Sequence, residues 1–488
     1  MLVVGLDLGT QSCKAVVCDE ALRPRGAHAI AYATSYPAPD HAEQDPRTWE
    51  AALAPAIRGA LEAAGAKPDD VGALAIAGQL DGCVAVDDQG APLHPALIWQ
   101  DRRAVDDASR ADPARVFELA GQVADAGHMA PKLRWLRARV GGLFGGPAKF
   151  HQPVSYLVAR LTGEAVLDRA LASTTMLLEL QTGRWSQELL DAFEITTGEL
   201  PRIADTCSIA GALTAIGAQL TGLPERTPVA VGTGDDFATP LGAGVVAPGP
   251  IVCAIGTAEV VGALARDPVL DRIDREPMVE THAYPTGAFF VENPGWLSGG
   301  AVRWATRMLG LPDDRALDAL AASAPPGADG VTFVPALAGA MTPVWRPHAR
   351  GTLHGLAAAH GRAHVARAVL EGLAFACRDV VDRLAAIGLP RERVLLLGGG
   401  ARSRVWSQLR ADVLGLPHQI AAYPDTCPIG AAMIASVAAG LHRDLAAAAR
   451  QIPPPSDGFA PGVALDEPYA RYRRLVAQLA PLAETRWG

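Results

Sequence analysis

The chain opens on an apolar run that breaks at a polar tip and then resumes. Residues Val3 to Val17 read as two strands joined through Asp7-Leu8-Gly9-Thr10-Gln11-Ser12, a hairpin whose turn is rich in hydrogen-bonding groups. Arg47 to Ala64 spaces Trp49, Leu53, Ile57 and Leu61 four residues apart, which predicts a helix covering a sheet. Val71 to Ala77 is a buried-strand pattern running into Gly78-Gln79-Leu80-Asp81-Gly82. Val84 to Val86 resumes it, and Pro95 to Ile98 is a further strand giving way to Trp99-Gln100-Asp101-Arg102-Arg103. The middle third reads as mostly helical: Pro131 to Leu136 opens one helix, and Gln152 to Leu161 forms another, closed by Thr162-Gly163. Pro228 to Val231 is then a short strand emptying into Gly232-Thr233-Gly234-Asp235-Asp236.

Near the midpoint the pattern starts over. Pro250 to Val261 is a second strand, Gly256-Thr257 turn and strand, preceded by the linker Ala247-Pro248-Gly249. The repetition predicts a duplicated unit, with domains over residues 1–246 and 247–488. Asn293 to Gly300 reads as a turn into a helix from Ala301 to Leu309. Later Arg393 to Leu397 is a wholly apolar strand that ends in Gly398-Gly399-Gly400-Ala401 at the expected start of a helix. Ile429 to Leu441 is the longest nearly apolar stretch, too short to span a bilayer and rich in Ala and Gly, as in a helix packed closely inside a protein.

Composition narrows the class. A chain of 488 residues with 49% hydrophobic content exceeds one core, and a formal charge of -9 without any basic run argues against nucleic acid or an anionic membrane as partner. The seven cysteines are scattered and contain no C-x-x-C pair, so neither a disulfide framework nor a zinc site is expected. The opening carries no basic, cleavable apolar segment, and a cytoplasmic protein is expected. A homodimer is compatible with the sequence.

The candidate chemistry lies in the turns. Thr10 and Ser12 hydroxyls and nearby amides can face phosphate, and Asp7 at a strand end can hold a hydrated metal; a polar hairpin tip is equally the bland reading. Acid pairs such as Asp235-Asp236 at a strand end serve as metal or proton-transfer sites, although turns also favour Asp after Gly. Three glycines between an apolar strand and a helix suit close approach of phosphate or a flat base. Neither a P-loop nor a G-x-G-x-x-G after the first strand is present.

These motifs resemble the FGGY carbohydrate kinases. The resemblance rests on Asp7-Leu8-Gly9-Thr10, Pro131-Lys132-Leu133-x-Trp135, Gly234-Asp235, Gly351-x-Leu353-x-Gly355-Leu356 with His364-Val365-x-x-Ala368-Val369-Leu370-Glu371, and Gly398 to Ser403 with Trp406-x-Gln408. Within the family the chain is most similar to xylulokinases, through Glu43-Gln44-Asp45-Pro46, Gly78-Gln79-x-x-Gly82 and Ile98-Trp99-x-Asp101-x-Arg103. The resemblance implies an α/β fold of two ribonuclease H-like, actin-like ATPase domains around an active-site cleft. It also implies ATP and Mg²⁺, and a small sugar or polyol, D-xylulose first, as acceptor. Thr10, Gln11, Ser12 and Lys14 would approach the terminal phosphates from one domain and Gly256 and Thr257 from the other, with Gly398, Gly399, Gly400 and Ala401 at the adenosine. Asp7 would order water around the metal; Gln79, Leu80, Asp81, Asp101 and Asp235 would meet the sugar; Asp235 would be the catalytic base. Three departures stand out: Leu80-Asp81 where xylulokinases usually carry Met-His or Gln-His, Ala340-Met341 where they carry Glu-Arg, and Ala258-Glu259 where the family usually has Ser-Gly.

Overall fold

The computed structural model describes residues 1–140 and 148–484. Two seven-stranded mixed sheets organise it. In the first, Leu2–Leu8 pairs antiparallel with Ser12–Cys18 and parallel with Val71–Gly78. In the second, Ile251–Ile255 pairs antiparallel with Ala258–Ala265 and parallel with Val394–Leu397. The duplicated unit read from the sequence is therefore a hairpin whose first strand lies beside a glycine-terminated parallel strand, twice. Side chains on both faces of Leu2–Leu8 are buried, Val3, Val4, Leu6 and Leu8 being fully inaccessible, as a strand covered on both faces requires.

Local signals explain the covering helix Pro46–Ala64. The Asp45 side chain caps it by accepting from the Arg47 amide, Pro46 opens it, and Gly65 closes it in the left-handed conformation at φ 63°. Its buried stripe includes Trp49, Leu53, Ile57 and Leu61.

The apolar stretch from Ile429 forms helix Cys427–Ala438, and it lies against the first sheet although in the chain it falls between strands His418–Ile420 and Ser456–Phe459 of the second. Glycines permit this. A Cβ on Gly5 would sit 2.0 Å from the Pro428 carbonyl oxygen, and one on Gly430 would sit 2.1 Å from that of Ala238 in helix Asp235–Gly242. One core cluster accordingly joins Val3, Val16 and Ala75 of the first sheet to Val252 and Leu395 of the second through Ile429 and Ile434. Gly5→Ala should lower stability by about 1–3 kcal/mol through overpacking. A lower denaturation midpoint at unchanged slope is the expected reading, and an unchanged midpoint would contradict this packing.

Two expectations need correction. Asn293 to Leu297 is not a turn: strand Phe289–Leu297 runs through it, accommodating Pro294 and Gly295 at a register shift where a Cβ on Gly295 (φ 101°) would meet the Glu259 carbonyl oxygen at 1.8 Å. The three glycines do not open an α-helix directly: a 3₁₀ turn over Gly399–Arg402 precedes helix Arg404–Leu414, which Ser403 caps.

Candidate active site

Three strands of the first sheet end side by side. Leu8 is in register with Gly78, and Gly78 with Gly234, so the residues around these ends, Asp7, Gln79 and Asp235, converge at one edge. Asp235 begins helix Asp235–Gly242. Burial pushes its carboxyl well above the ordinary range, and the neighbouring Asp236 and Asp7 carboxylates push it further. Asp7 is raised to about 6 by burial, against the lowering influence of a Cys427 hydrogen bond and of Lys14. Lys14 is itself paired with Asp425 at 3.0 Å, immediately before the crossing helix. Buried carboxylates this short of positive charge are the oxygen donor set that a hard divalent cation takes.

The first hairpin tip is held from behind. The Tyr32 hydroxyl donates to the Gly9 carbonyl (2.5 Å), Gln44 Nε2 to the Thr10 carbonyl (2.6 Å), and Trp99 Nε1 to Thr10 Oγ1 (2.9 Å). Gln44 Oε1 in turn accepts from Trp49 Nε1 and from Gln79 Nε2. A continuous hydrogen-bond chain thus runs from Gln79 to the hairpin, and it leaves Gln79 Oε1 buried without a partner. Gln11 and Ser12 lie at the tip, Gln11 exposed.

The second tip, Gly256-Thr257, is exposed and abuts the start of helix Gly299–Met308: the Gly299 amide donates to the Gly256 carbonyl (3.2 Å), and Arg303 Nη2 donates to Thr257 Oγ1 (2.9 Å). Glu259 points away from this tip. It is fully buried and accepts both Arg410 guanidinium arms (2.6 and 2.5 Å) and the Ser298 hydroxyl. The departure at Ala258-Glu259 therefore braces the hairpin against helix Arg404–Leu414 and adds no side chain to its tip.

The glycine triplet lies beside this hairpin, and its members differ. A Cβ on Gly398 (φ 79°) would sit 2.7 Å from the Ile255 carbonyl oxygen, and one on Gly400 would sit 2.3 Å from Ile255 Cγ2, so packing alone demands both. Gly399 faces open space, and Ala401 is buried beneath.

Sequence profiles of the FGGY family of carbohydrate kinases match residues 2–242 with its N-terminal domain and residues 251–439 with its C-terminal domain. The chain belongs to the FGGY carbohydrate kinases. It is 32% identical to the xylulose kinase of Escherichia coli (strain K12), over 99% of this chain and all of that one. It is 33% identical to the glycerol kinase of Geobacter sp. (strain M21), over 92% of each. The crystal structure of xylulose kinase from Rhodospirillum rubrum superposes with a TM-score of 0.88 at 30% identity, covering 99% of this chain and 100% of that one. The FGGY kinase described here is thus an ATP-dependent sugar kinase of two α/β domains with the actin-like ATPase architecture. None of its described helices is long and apolar enough to cross a membrane.

Around Leu80 and Asp81 this kinase carries side chains that sequence reasoning did not single out. Leu80 is half-buried among the core residues. Asp81, at φ 61°, places Oδ1 3.2 Å from His128 Nδ1, while Lys132 Nζ donates to its carbonyl (2.9 Å). Burial lowers Lys132 to about 8. Beyond His128 come Glu280, His282 and Glu292 from the second sheet. Burial, then the Asp236, Glu280, Asp81 and Asp235 carboxylates, drive the Glu292 carboxyl well above its ordinary range, so this group lies within electrostatic reach of the acid pair. Asp101 stands differently from the others: fully buried, it accepts from the Ala42 amide (2.7 Å) and from Arg103 Nε (2.9 Å to each oxygen), so both its oxygens are occupied by the chain itself.

Proposed function

We propose that this kinase transfers the γ-phosphoryl group of ATP to a primary hydroxyl of a small neutral sugar, D-xylulose first among them. Residues 1–246 supply acceptor groups and base, and residues 247–488 hold the nucleotide. The observation that carries the reading is the convergence of Asp235, Asp7 and Gln79 at adjoining strand ends, tied by Gln44 to the Thr10 hairpin. The full-length similarity to the Escherichia coli xylulose kinase supports the choice of sugar.

Phosphoryl transfer passes through a loose transition state, which leaves the protein mainly to align, neutralise and accept a proton. Asp235 receives the proton of the attacking hydroxyl at its carboxylate. Gln79, with Oε1 unpartnered, and Asp81 orient the acceptor hydroxyls; Asp101 acts on the same segment through its clasp on Arg103. Thr10, Gln11, Ser12 and Lys14 meet the terminal phosphates from one side and Gly256 and Thr257 from the other, with Gly398, Gly399, Gly400 and Ala401 around the adenosine. Asp7 would hold Mg²⁺, which when bound neutralises charge on the phosphates.

A second reading, a polyol as acceptor, is favoured by the carboxylates of Asp81 and Asp236 and by the glycerol kinase relatives. Steady-state kcat/KM for D-xylulose, other ketopentoses and glycerol distinguishes them. The expected ranking puts D-xylulose first by about tenfold or more, the scale on which hydrogen-bonding sites discriminate; glycerol in first place would replace the first reading by the second.

A further inference from the structure

We propose that His128 is a positioning residue that sets acceptor specificity by holding the Asp81 carboxylate, and that it does so as the second member of a chain of alternating acidic and imidazole side chains joining the two domains. The proposal rests on the reading above that Asp81 meets the acceptor.

The chain runs Asp81, His128, Glu280, His282, Glu292. His128 Nδ1 lies 3.2 Å from Asp81 Oδ1 and 3.1 Å from the Thr174 carbonyl, with Gln122 Nε2 at 3.2 Å, and His128 Nε2 lies 3.5 Å from Glu280 Oε1. Glu280 Oε1 is itself fixed by the Val123 amide at 2.7 Å. His282 Nε2 then stands 3.6 Å from Glu280 Oε2 and 3.5 Å from Glu292 Oε1. Four of the five side chains are at most 7% exposed, and Asp81, the fifth, is 16% exposed. Only the end of the chain that faces the acceptor position is open.

Buried charges are tolerated when each has an opposite partner, and removing one strands its neighbours. Burial would lower the His128 imidazole, yet the Asp81 and Glu280 carboxylates hold it well above its ordinary range. Asp81 needs that anchor because its backbone is in the left-handed region, where a residue other than glycine is strained. The Gln152 side chain (3.3 Å from the Asp81 amide) and Lys132 fix that backbone, and His128 fixes the carboxylate. Among the described residues Asp81 Oδ2 has no hydrogen-bond partner, so it is free to accept from a hydroxyl.

The second domain enters through strand Glu280–Ala283, which is stitched to the first: the Thr281 amide donates to the Gly121 carbonyl (2.9 Å) and the Ala283 amide to Ser173 Oγ (2.9 Å). The groups facing the far end of the chain are again acidic, since Asp236 lies within reach of both His282 and Asp81. An acceptor that donates hydroxyl protons fits this site, whereas one bearing its own carboxylate meets like charge. The departure at position 81 thus sits at the open end of a constellation that reaches into the second sheet.

Acceptor and ATP kinetics of Asp81→Asn, His128→Ala, His128→Asn and the double variant Asp81→Asn/His128→Ala test the assignment. His128→Ala should raise the acceptor KM about tenfold or more while the ATP KM stays within about twofold, the pattern of a lost ground-state contact confined to one substrate. His128→Asn, whose amide can still donate to Asp81, should recover most of that loss, and the double variant should be no worse than Asp81→Asn alone. If His128→Ala does not fold, Glu280→Gln supplies the same test from the other side of the ring, with the acceptor KM again rising alone. An acceptor KM that rises with Asp81→Asn and not with His128→Ala overturns the role of His128. If neither variant moves it, the acceptor reading of Asp81 falls as well. Full additivity in the double variant overturns the coupling.

Discussion

Asp235→Ala should bind ATP and acceptor nearly as tightly as the parent enzyme while kcat falls by about 10²–10⁴-fold, the usual cost of deleting a general base. Asp236→Ala should lose much less. The two acids are adjacent in sequence and differ in their surroundings: Asp235 begins the helix beside the strand ends and feels Asp7, while Asp236 is raised to about 6 by burial and answers to His282 and Asp81. A base must be deprotonated to act. Because burial and the Asp236 and Asp7 carboxylates raise Asp235, the acid limb of kcat/KM for the free enzyme should lie above the ordinary carboxylate range, with activity falling as the pH drops through it. Asp236→Asn removes one of the raising charges and should move that limb to lower pH. Equal small losses at both positions, or the reverse ranking, would transfer the proton to another group.

The second large effect concerns Gly399. Nothing lies within 4 Å of a Cβ built there, and the residue does not occupy the left-handed region, so Gly399→Phe should fold while its ring enters the space proposed for adenosine. The ATP KM should rise about 10–100-fold, equivalent to about 1.4–2.7 kcal/mol, with the acceptor KM little changed. Gly400→Ala is the contrasting variant. Its Cβ would collide with Ile255 Cγ2, so it should lose stability before it loses nucleotide. Unchanged ATP affinity in Gly399→Phe would remove the triplet from the nucleotide site.

What the sequence made legible was local. The opening hairpin, the helix Pro46–Ala64 and the second hairpin each carry their own period, cap or turn within a few residues, and each forms where the pattern put it. The glycine triplet was legible as a place and less so as a function, because two of its three members answer to Ile255. Asn293 to Leu297 misread as a turn because Pro and Gly mark a bulge in a strand as readily as its end. The crossing helix was recognisable as closely packed, but its target depends on glycines at 5 and 242, far away in the chain. Likewise the clearest family signature, around Gly355 and Glu371, serves the second core: Glu371 accepts from the Gly327 amide and pairs with Arg367 inside helix Arg362–Ala386.

The Asp81–His128–Glu280 constellation was the least legible. Asp81 and His128 are 47 residues apart, and Glu280 belongs to the other sheet, so no spacing rule could join them. Asp101 enters as a sugar contact through the family resemblance alone; locally it stands after an apolar strand in a charged cluster. In the fold, that cluster is its own counter-ion: Arg103 closes on Asp101 and on Glu43 (2.7 Å).

The central claim is that Asp235 takes a proton while the phosphoryl group passes directly from ATP to the acceptor. Turnover of ATP carrying an isotopically chiral γ-phosphoryl group, followed by configurational analysis of the sugar phosphate, tests it most directly. A single in-line displacement predicts inversion at phosphorus. Retention, the mark of two successive displacements through a phosphorylated carboxylate, would make Asp235 a nucleophile and contradict the account.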